Sequence, residues 1–159
     1  VVEQPLYNML DRHQVEGDVE EKLADHAMGM VVWSPLAGGV LTGKYNEGIP
    51  EGSRGSQYGT GWLSDNFADD RLSKARQLTA VAQEYGYELS ALALAWAMHH
   101  PGVDSVITGA TKVSHVESNL KALDVTLSSD LEKKIEDILQ NRPYNSRRAI
   151  MTADEFESI

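Results

Sequence analysis

Cysteine is absent from the 159 residues, which excludes disulfides, thiolate metal sites and a cysteine nucleophile together. That absence fits a cytoplasmic protein. No apolar run approaches the roughly 18 residues that a membrane-spanning helix needs, and no basic and apolar leader opens the chain. A membrane partner is therefore not expected. Positive charge is scarce, with 14 Lys and Arg against 24 Asp and Glu and a net charge of -10. Nucleic acid needs clustered cations, so it is excluded as a partner. A small anion can still be held locally, because net charge describes only the far field. His13, His26, His99 and His100 lack ligand spacing with carboxylates, so no metal site is expected.

What remains is a globular composition, 42% apolar and 24% charged. Val1–Gln4 reads as the end of a strand, and a chain that opens inside a strand implies partner strands upstream. Asp18 is placed as the N-cap of a helix carrying Val19, Leu23 and Ala27, with Gly29 ending it. The continuous run Met30-Val31-Val32-Trp33 predicts a strand buried on both faces. A glycine-rich stretch, 37–67, follows; its length suggests a cover for substrate or cofactor. Helices are expected from Asp69 to Tyr85 and from Ser90 to Pro101, then a strand over Val103–Thr108. The next helix carries Val113, Val116, Leu120 and Leu123 as its apolar positions. The last opens on the capping box Ser129-x-x-Glu132 and buries Leu131, Ile135, Ile138 and Leu139. Residues 1–141 form one domain and 142–159, with Arg142, Arg147 and Arg148, a solvated tail.

The alternation of strands and helices means βαβ units and a parallel sheet. Such a sheet places its chemistry at the C-terminal ends of the strands. Three constellations stand there: Glu3-Gln4-Pro5-Leu6-Tyr7-Asn8; Trp33-Ser34-Pro35-Leu36-Ala37-Gly38-Gly39, running on to Lys44-Tyr45; and Gly109-Ala110-Thr111 with Asn119 beyond it. No G-x-G-x-x-G follows a strand.

The text VEQPLYN, WSPLAGGVLTGKYNEGIPEGSR and LALAWAMHHPGVDSVITGA, in this order over nearly all of residues 1–141, resembles the C-terminal half of the aldo/keto reductase superfamily. The branch most similar in pattern holds the potassium-channel β subunits and bacterial glyceraldehyde-type reductases. The resemblance implies an α/β fold, the last three βα units plus terminal helix of a (β/α)8 TIM-type barrel, and NADP as cofactor. A whole barrel of this kind takes about 250 residues, more than this chain has.

By the same resemblance Gln4 hydrogen-bonds the nicotinamide carboxamide, and Trp33 lies against the nicotinamide ring. Ser34, Pro35, Leu36, Ala37 and Gly38 form the turn under the pyrophosphate, and Lys44 and Arg54 reach the phosphates. Gly109, Thr111, His115 and Asn119 hold the adenosine 2′-phosphate and adenine. These types suit those tasks: an amide both donates and accepts, glycine permits close approach, and cations pair with phosphate. His115 stands where relatives commonly have Gln and Ser118 where they commonly have Glu, which leaves NADP against NAD preference open.

The family's catalytic Asp, Tyr, Lys and His belong to the other half of the barrel, so no catalytic residue is assigned here. Tyr7, Tyr45 and Tyr58 sit in motifs of later strands. The expected parent activity is NADPH-dependent reduction of small aldehydes or ketones, with a small carbonyl compound as partner. The alternatives are a non-catalytic NADP-binding regulatory subunit of the channel β type and an inactive truncated product. A homo-oligomer is compatible with each.

Overall fold

The computed structural model describes residues 1–58, 61 and 63–144. Three short parallel strands, β1 (Val2–Glu3), β2 (Gly29–Val32) and β3 (Val103–Val106), lie side by side in the order β1-β2-β3. The helices that join and cover them are α1 (Glu20–Asp25), α2 (Arg54–Tyr58), α3 (Asp69–Glu84), α4 (Leu89–His99), α5 (Val113–Leu120) and α6 (Ser129–Leu139). The mixed α/β pattern with a parallel sheet agrees with the expected partial barrel.

One layer of packing dominates. Helix α4 is buried from Leu89 to Ala97, because it lies between β3, α3 and α5. Helix α6 presents Leu131, Ile135 and Leu139 at intervals of four as a single buried stripe. It packs on α3, whose Ala75, Leu78 and Ala82 are buried. Burying a leucine-sized side chain stabilises by about 1.5–3 kcal/mol, so these stripes, rather than propensity, hold the helices. Tyr7 stacks on Trp96 at 5.1 Å between ring centres. In β2 Met30 and Val32 are buried, while Gly29 and Val31 are half-buried, so the burial expected on both faces is complete on one and partial on the other.

Several local expectations are corrected. The first helical segment begins earlier than Asp18, as a π-helical turn over Gln14–Val19 that leads into α1, so Asp18 lies inside it. That helix ends at Asp25 through Ala27, which takes the left-handed conformation (φ 50°) while the Met28 amide bonds back to the Leu23 carbonyl. Gly29 is instead the first residue of β2. A Cβ there would lie 1.8 Å from an Asp104 carboxylate oxygen, and that carboxylate accepts the Met30 N–H at 2.9 Å. The pairing skips from Met30–Val103 to Val31–Ser105, so Asp104 is the extra residue of a bulge and its side chain satisfies the displaced donor.

The α6 cap is Ser128, whose hydroxyl accepts from the Leu131 amide at 3.3 Å; Ser129 is the first helical residue, so the spacing to Glu132 makes no capping box. Stretch 37–67 is not one irregular loop. It carries 3-10 turns at Ala37–Thr42 and Ser64–Phe67 and the short α2, gathered around Tyr45, whose ring meets Phe67 edge-on at 4.9 Å. Of the tail, 145–159 lies outside the described residues, including Arg147 and Arg148.

Candidate functional site

All three constellations leave the same end of the sheet. Val32 pairs with Val106, and the Ile107 amide bonds to the Val32 carbonyl at 2.8 Å, so the segments after β2 and β3 start level. Beyond β1, Leu6 bridges to Trp33 in parallel; the Trp33 amide donates to Pro5 and the Tyr7 amide to the Trp33 carbonyl. This register places Gln4 and Trp33 on neighbouring strand ends. Gln4 is exposed, and Trp33, a large aromatic residue, stays 45% exposed at the end of its strand.

The turn after Trp33 is conformationally demanding. Ser34 (φ 56°), Ala37 (φ 47°), Gly38 (φ 65°) and Gly39 (φ 100°) all lie in the left-handed region. For Ser34 and Ala37 this costs on the order of 1 kcal/mol each, a strain that persists only where neighbours over-determine it. Here they do. Asn8, fully buried, donates from its side chain to the Ser34 carbonyl at 3.1 Å. Ser34 in turn accepts the Ala37 amide at 3.0 Å, and Leu36 accepts the amides of Gly39 and Leu41. The Asn8 side-chain oxygen accepts the Leu10 and Asp11 amides, an Asx turn that fixes its orientation. Pro35 and Ala37 are buried beneath the turn. Leu36 packs with Val106 on the small cluster of Leu94, Ala95 and Ala122, which ties this turn to β3 and to the foot of α5.

Lys44 folds back over this turn. Its Cε and Nζ lie 2.9 Å from where a Gly39 Cβ would be, and its ammonium sits 4.9 Å from the centre of the Tyr45 ring. Glycine at 39 thus makes room for a cation. Tyr45 is buried and its hydroxyl accepts the Gly55 amide at 3.0 Å, which fixes the start of α2 and hence Arg54, itself exposed. Lys44 and Arg54 are therefore set by one anchor.

The third constellation is the most open. Gly109 and Thr111 form an exposed connection from β3 to α5, and His115 is exposed on the first turns of that helix. Asn119 is half-buried one turn later. Ser118 turns towards α4: its hydroxyl donates to Glu88 at 2.7 Å and stands 3.5 Å from the Ser90 hydroxyl, while Lys121 bonds the other Glu88 oxygen at 2.7 Å. Lys121 first and Ser118 second hold the Glu88 carboxyl below its usual range. Ser118 thus staples two helices.

Sequence reasoning missed the cluster behind the first two constellations. Glu16, 2% exposed, accepts from the Tyr7 hydroxyl at 2.8 Å and from Arg12 at 2.8 and 2.9 Å. Arg12 also donates twice to Glu136 on α6 and lies 5.0 Å from the Trp96 ring centre. Burial pushes the Glu16 carboxyl up, but hydrogen bonds and charge from Arg12, helped by Tyr7, outweigh it and hold the group below the usual carboxylate range. Burial, with Glu16 beside it, pushes the Tyr7 phenol far up, so it stays protonated and donates. The available signal was the i, i+4 spacing of Arg12 and Glu16. A sequence does not show that such a pair is buried.

The sequence profile of the aldo/keto reductase family matches residues 1–140. A probable voltage-gated potassium channel subunit beta of Arabidopsis thaliana is 45% identical over 147 residues, covering 90% of this chain and 45% of that protein. A protein of the same description from Oryza sativa is 44% identical over a span covering 90% of this chain and 45% of its own. A putative voltage-gated potassium channel subunit beta of Schizosaccharomyces pombe is 40% identical over 148 residues, 90% of this chain and 43% of that protein. The chain spans less than half the length of these relatives.

Proposed function

Because the chain belongs to the aldo/keto reductase family, we propose that it forms the NADP-binding C-terminal part of a (β/α)8 oxidoreductase that reduces small aldehydes or ketones. The observation carrying this reading is the end of β2. There a half-exposed Trp33 opens onto a strained turn with Lys44 folded across it. Glycine at 38 and 39 lets a ligand approach the backbone closely, and Lys44 brings a positive charge over the same turn, which suits an anion. An aromatic face beside such a turn suits a planar ring joined to a pyrophosphate. These features fit a nicotinamide dinucleotide.

In this reading Gln4 orients the carboxamide with its paired donor and acceptor, and Trp33 lies along the ring. Residues 34–38 bear the pyrophosphate, which Lys44 and Arg54 neutralise. Gly109, Thr111, His115 and Asn119 hold the adenosine end. Bound NADPH supplies a hydride to the carbonyl carbon, and this chain's share of the work is to hold and orient the cofactor. No residue of the chain is assigned the proton transfer, so the 159 residues alone are expected to be inactive. The work is proposed to take place in the cytoplasm.

A second reading is a non-catalytic NADP-binding regulatory subunit. It is favoured by the names of the relatives in three organisms, all channel β subunits. The two readings part on turnover. NADPH oxidation with 4-nitrobenzaldehyde by the full-length protein supports the enzyme. Binding of NADPH without oxidation across a panel of aldehydes and ketones supports the regulatory subunit. Failure of that protein to quench or shift NADPH fluorescence would refute both.

A further inference from the structure

The segment that carries Lys44 and Arg54 is gripped from α3. Its backbone closes in turns, with the Asn46 amide donating to the Gly43 carbonyl at 3.1 Å and the Gly48 amide to the Tyr45 carbonyl at 3.2 Å. Helix α3 then holds it at one residue. The Asn46 side-chain amide donates to the Thr79 hydroxyl at 2.9 Å, and the Arg76 guanidinium donates to the Asn46 carbonyl at 2.9 Å. Thr79 gives its own proton to the Ala75 carbonyl at 2.8 Å, so towards Asn46 it can only accept. The direction of that bond is therefore fixed. Glycine at 43 lets the two segments meet: its φ is 77°, and a Cβ there would lie 3.2 Å from the Thr79 hydroxyl and 3.5 Å from the Asn46 amide nitrogen.

Asn46 lies two residues beyond Lys44 and next to Tyr45, whose hydroxyl accepts the Gly55 amide and so sets the start of α2. A shift of Asn46 away from α3 thus carries both cations with it. Arg76 is exposed, and Thr79 and Asn46 are half-buried. Two partly solvated hydrogen bonds add only modestly to global stability, yet here they fix a segment bearing two charges. We propose that Asn46 is a positioning residue for the cofactor: its bonds to Thr79 and Arg76 hold Lys44 and Arg54 in place over the pyrophosphate before the ligand arrives. A cation already in place need not be ordered on binding, and ordering costs affinity. The inference rests on the cofactor reading of Lys44 and Arg54 and adds the residues that place them.

The test measures NADPH dissociation constants of the full-length protein by fluorescence titration. Asn46→Ala should weaken binding about three- to tenfold, the range that follows from having to order one side chain or two on binding. Thr79→Val, nearly the same size without the hydroxyl, should shift affinity in the same direction, and Thr79→Ser should bind as the unaltered protein does. If Asn46→Ala fails to fold by circular dichroism, this threonine pair decides the question. Because Asn46 acts through the cations, Asn46→Ala should cost measurably less in an Arg54→Ala background than alone. Ser128→Ala, which removes the cap of α6, should lower the urea midpoint and leave NADPH affinity unchanged. The proposal is overturned by Asn46→Ala or Thr79→Val binding as the unaltered protein does, by a loss that is the same with and without Arg54, or by an equal loss in Ser128→Ala. An unaltered protein without NADPH binding overturns the cofactor reading and this inference together. Binding that Arg54→Ala weakens and Asn46→Ala does not overturns this inference alone.

Discussion

Replacing Glu16 by leucine removes the charge that balances Arg12 without leaving a large hole. In the unaltered protein Glu16 and Arg12 are 2% and 4% exposed, joined by two hydrogen bonds, with a third from Tyr7. Removing one member of a buried pair costs about 3–5 kcal/mol, because the other is left charged and uncompensated. The Tyr7 hydroxyl also loses its acceptor, worth about 1–3 kcal/mol where no water reaches it. Arg12 keeps its two bonds to Glu136, which is 30% exposed, so the remaining pair offsets part of the loss. A net cost of about 3–4 kcal/mol follows, against a total stability of roughly 5–15 kcal/mol for a domain. Urea unfolding followed by circular dichroism measures it. Arg12→Met combined with Glu16→Leu should recover at least half of that loss, since an apolar pair of similar volume often replaces a buried ion pair without penalty. A Glu16→Leu variant within about 1 kcal/mol of the unaltered protein would refute the account. So would a double variant whose loss equals the sum of the two single losses. The pH dependence has a fixed sign. Because folding depresses the Glu16 pKa, its contribution is fully present above the unfolded value of about 4.3 and is lost as pH falls through the lower folded value. Tyr7 is raised, so its contribution is present below about pH 10 and fades above it. The acid loss should be absent in Glu16→Gln.

Gly29→Ala should destabilise by about 1–3 kcal/mol, because the new Cβ displaces Asp104 and strands the Met30 amide. Adding Asp104→Ala should then cost less than the two changes summed, a coupling that urea midpoints resolve. Asn8→Ala should cost about 2 kcal/mol or more and weaken NADPH binding, since the Ser34 carbonyl loses its buried donor; equal binding would show that the turn holds without it. Arg54→Ala in the full-length protein should weaken NADPH binding about tenfold, the loss expected for one charge-assisted phosphate contact. An unchanged dissociation constant removes Arg54 from the site.

The parallel sheet, the position of the three motifs at its strand ends, the all-round burial of α4 and the buried stripe of α6 were legible in the sequence because each rests on local periodicity and turn chemistry. Gly29 and Asp18 were misplaced for the opposite reason. Their local signals, a glycine stop and an acidic cap, lost to a bulge with Asp104, 75 positions from Gly29 in sequence, and to a π-helical turn that begins at Gln14, whose wider repeat the 3.6-residue pattern does not reveal. Nor could sequence order show that Asn8 reaches Ser34 or that Arg12 reaches Glu136, separated by 26 and 124 positions. Which residues line the strand ends is set by the order of apolar and turn residues along the chain. The strained conformation of residues 34–39, the fold of Lys44 over Gly39 and the outward apolar face of α5, where Val113, Val116 and Leu120 are exposed, belong to packing between distant segments. Tertiary structure alone decides them, because the free energy of a buried charge, a crowded glycine or an exposed leucine depends on what lies across from it.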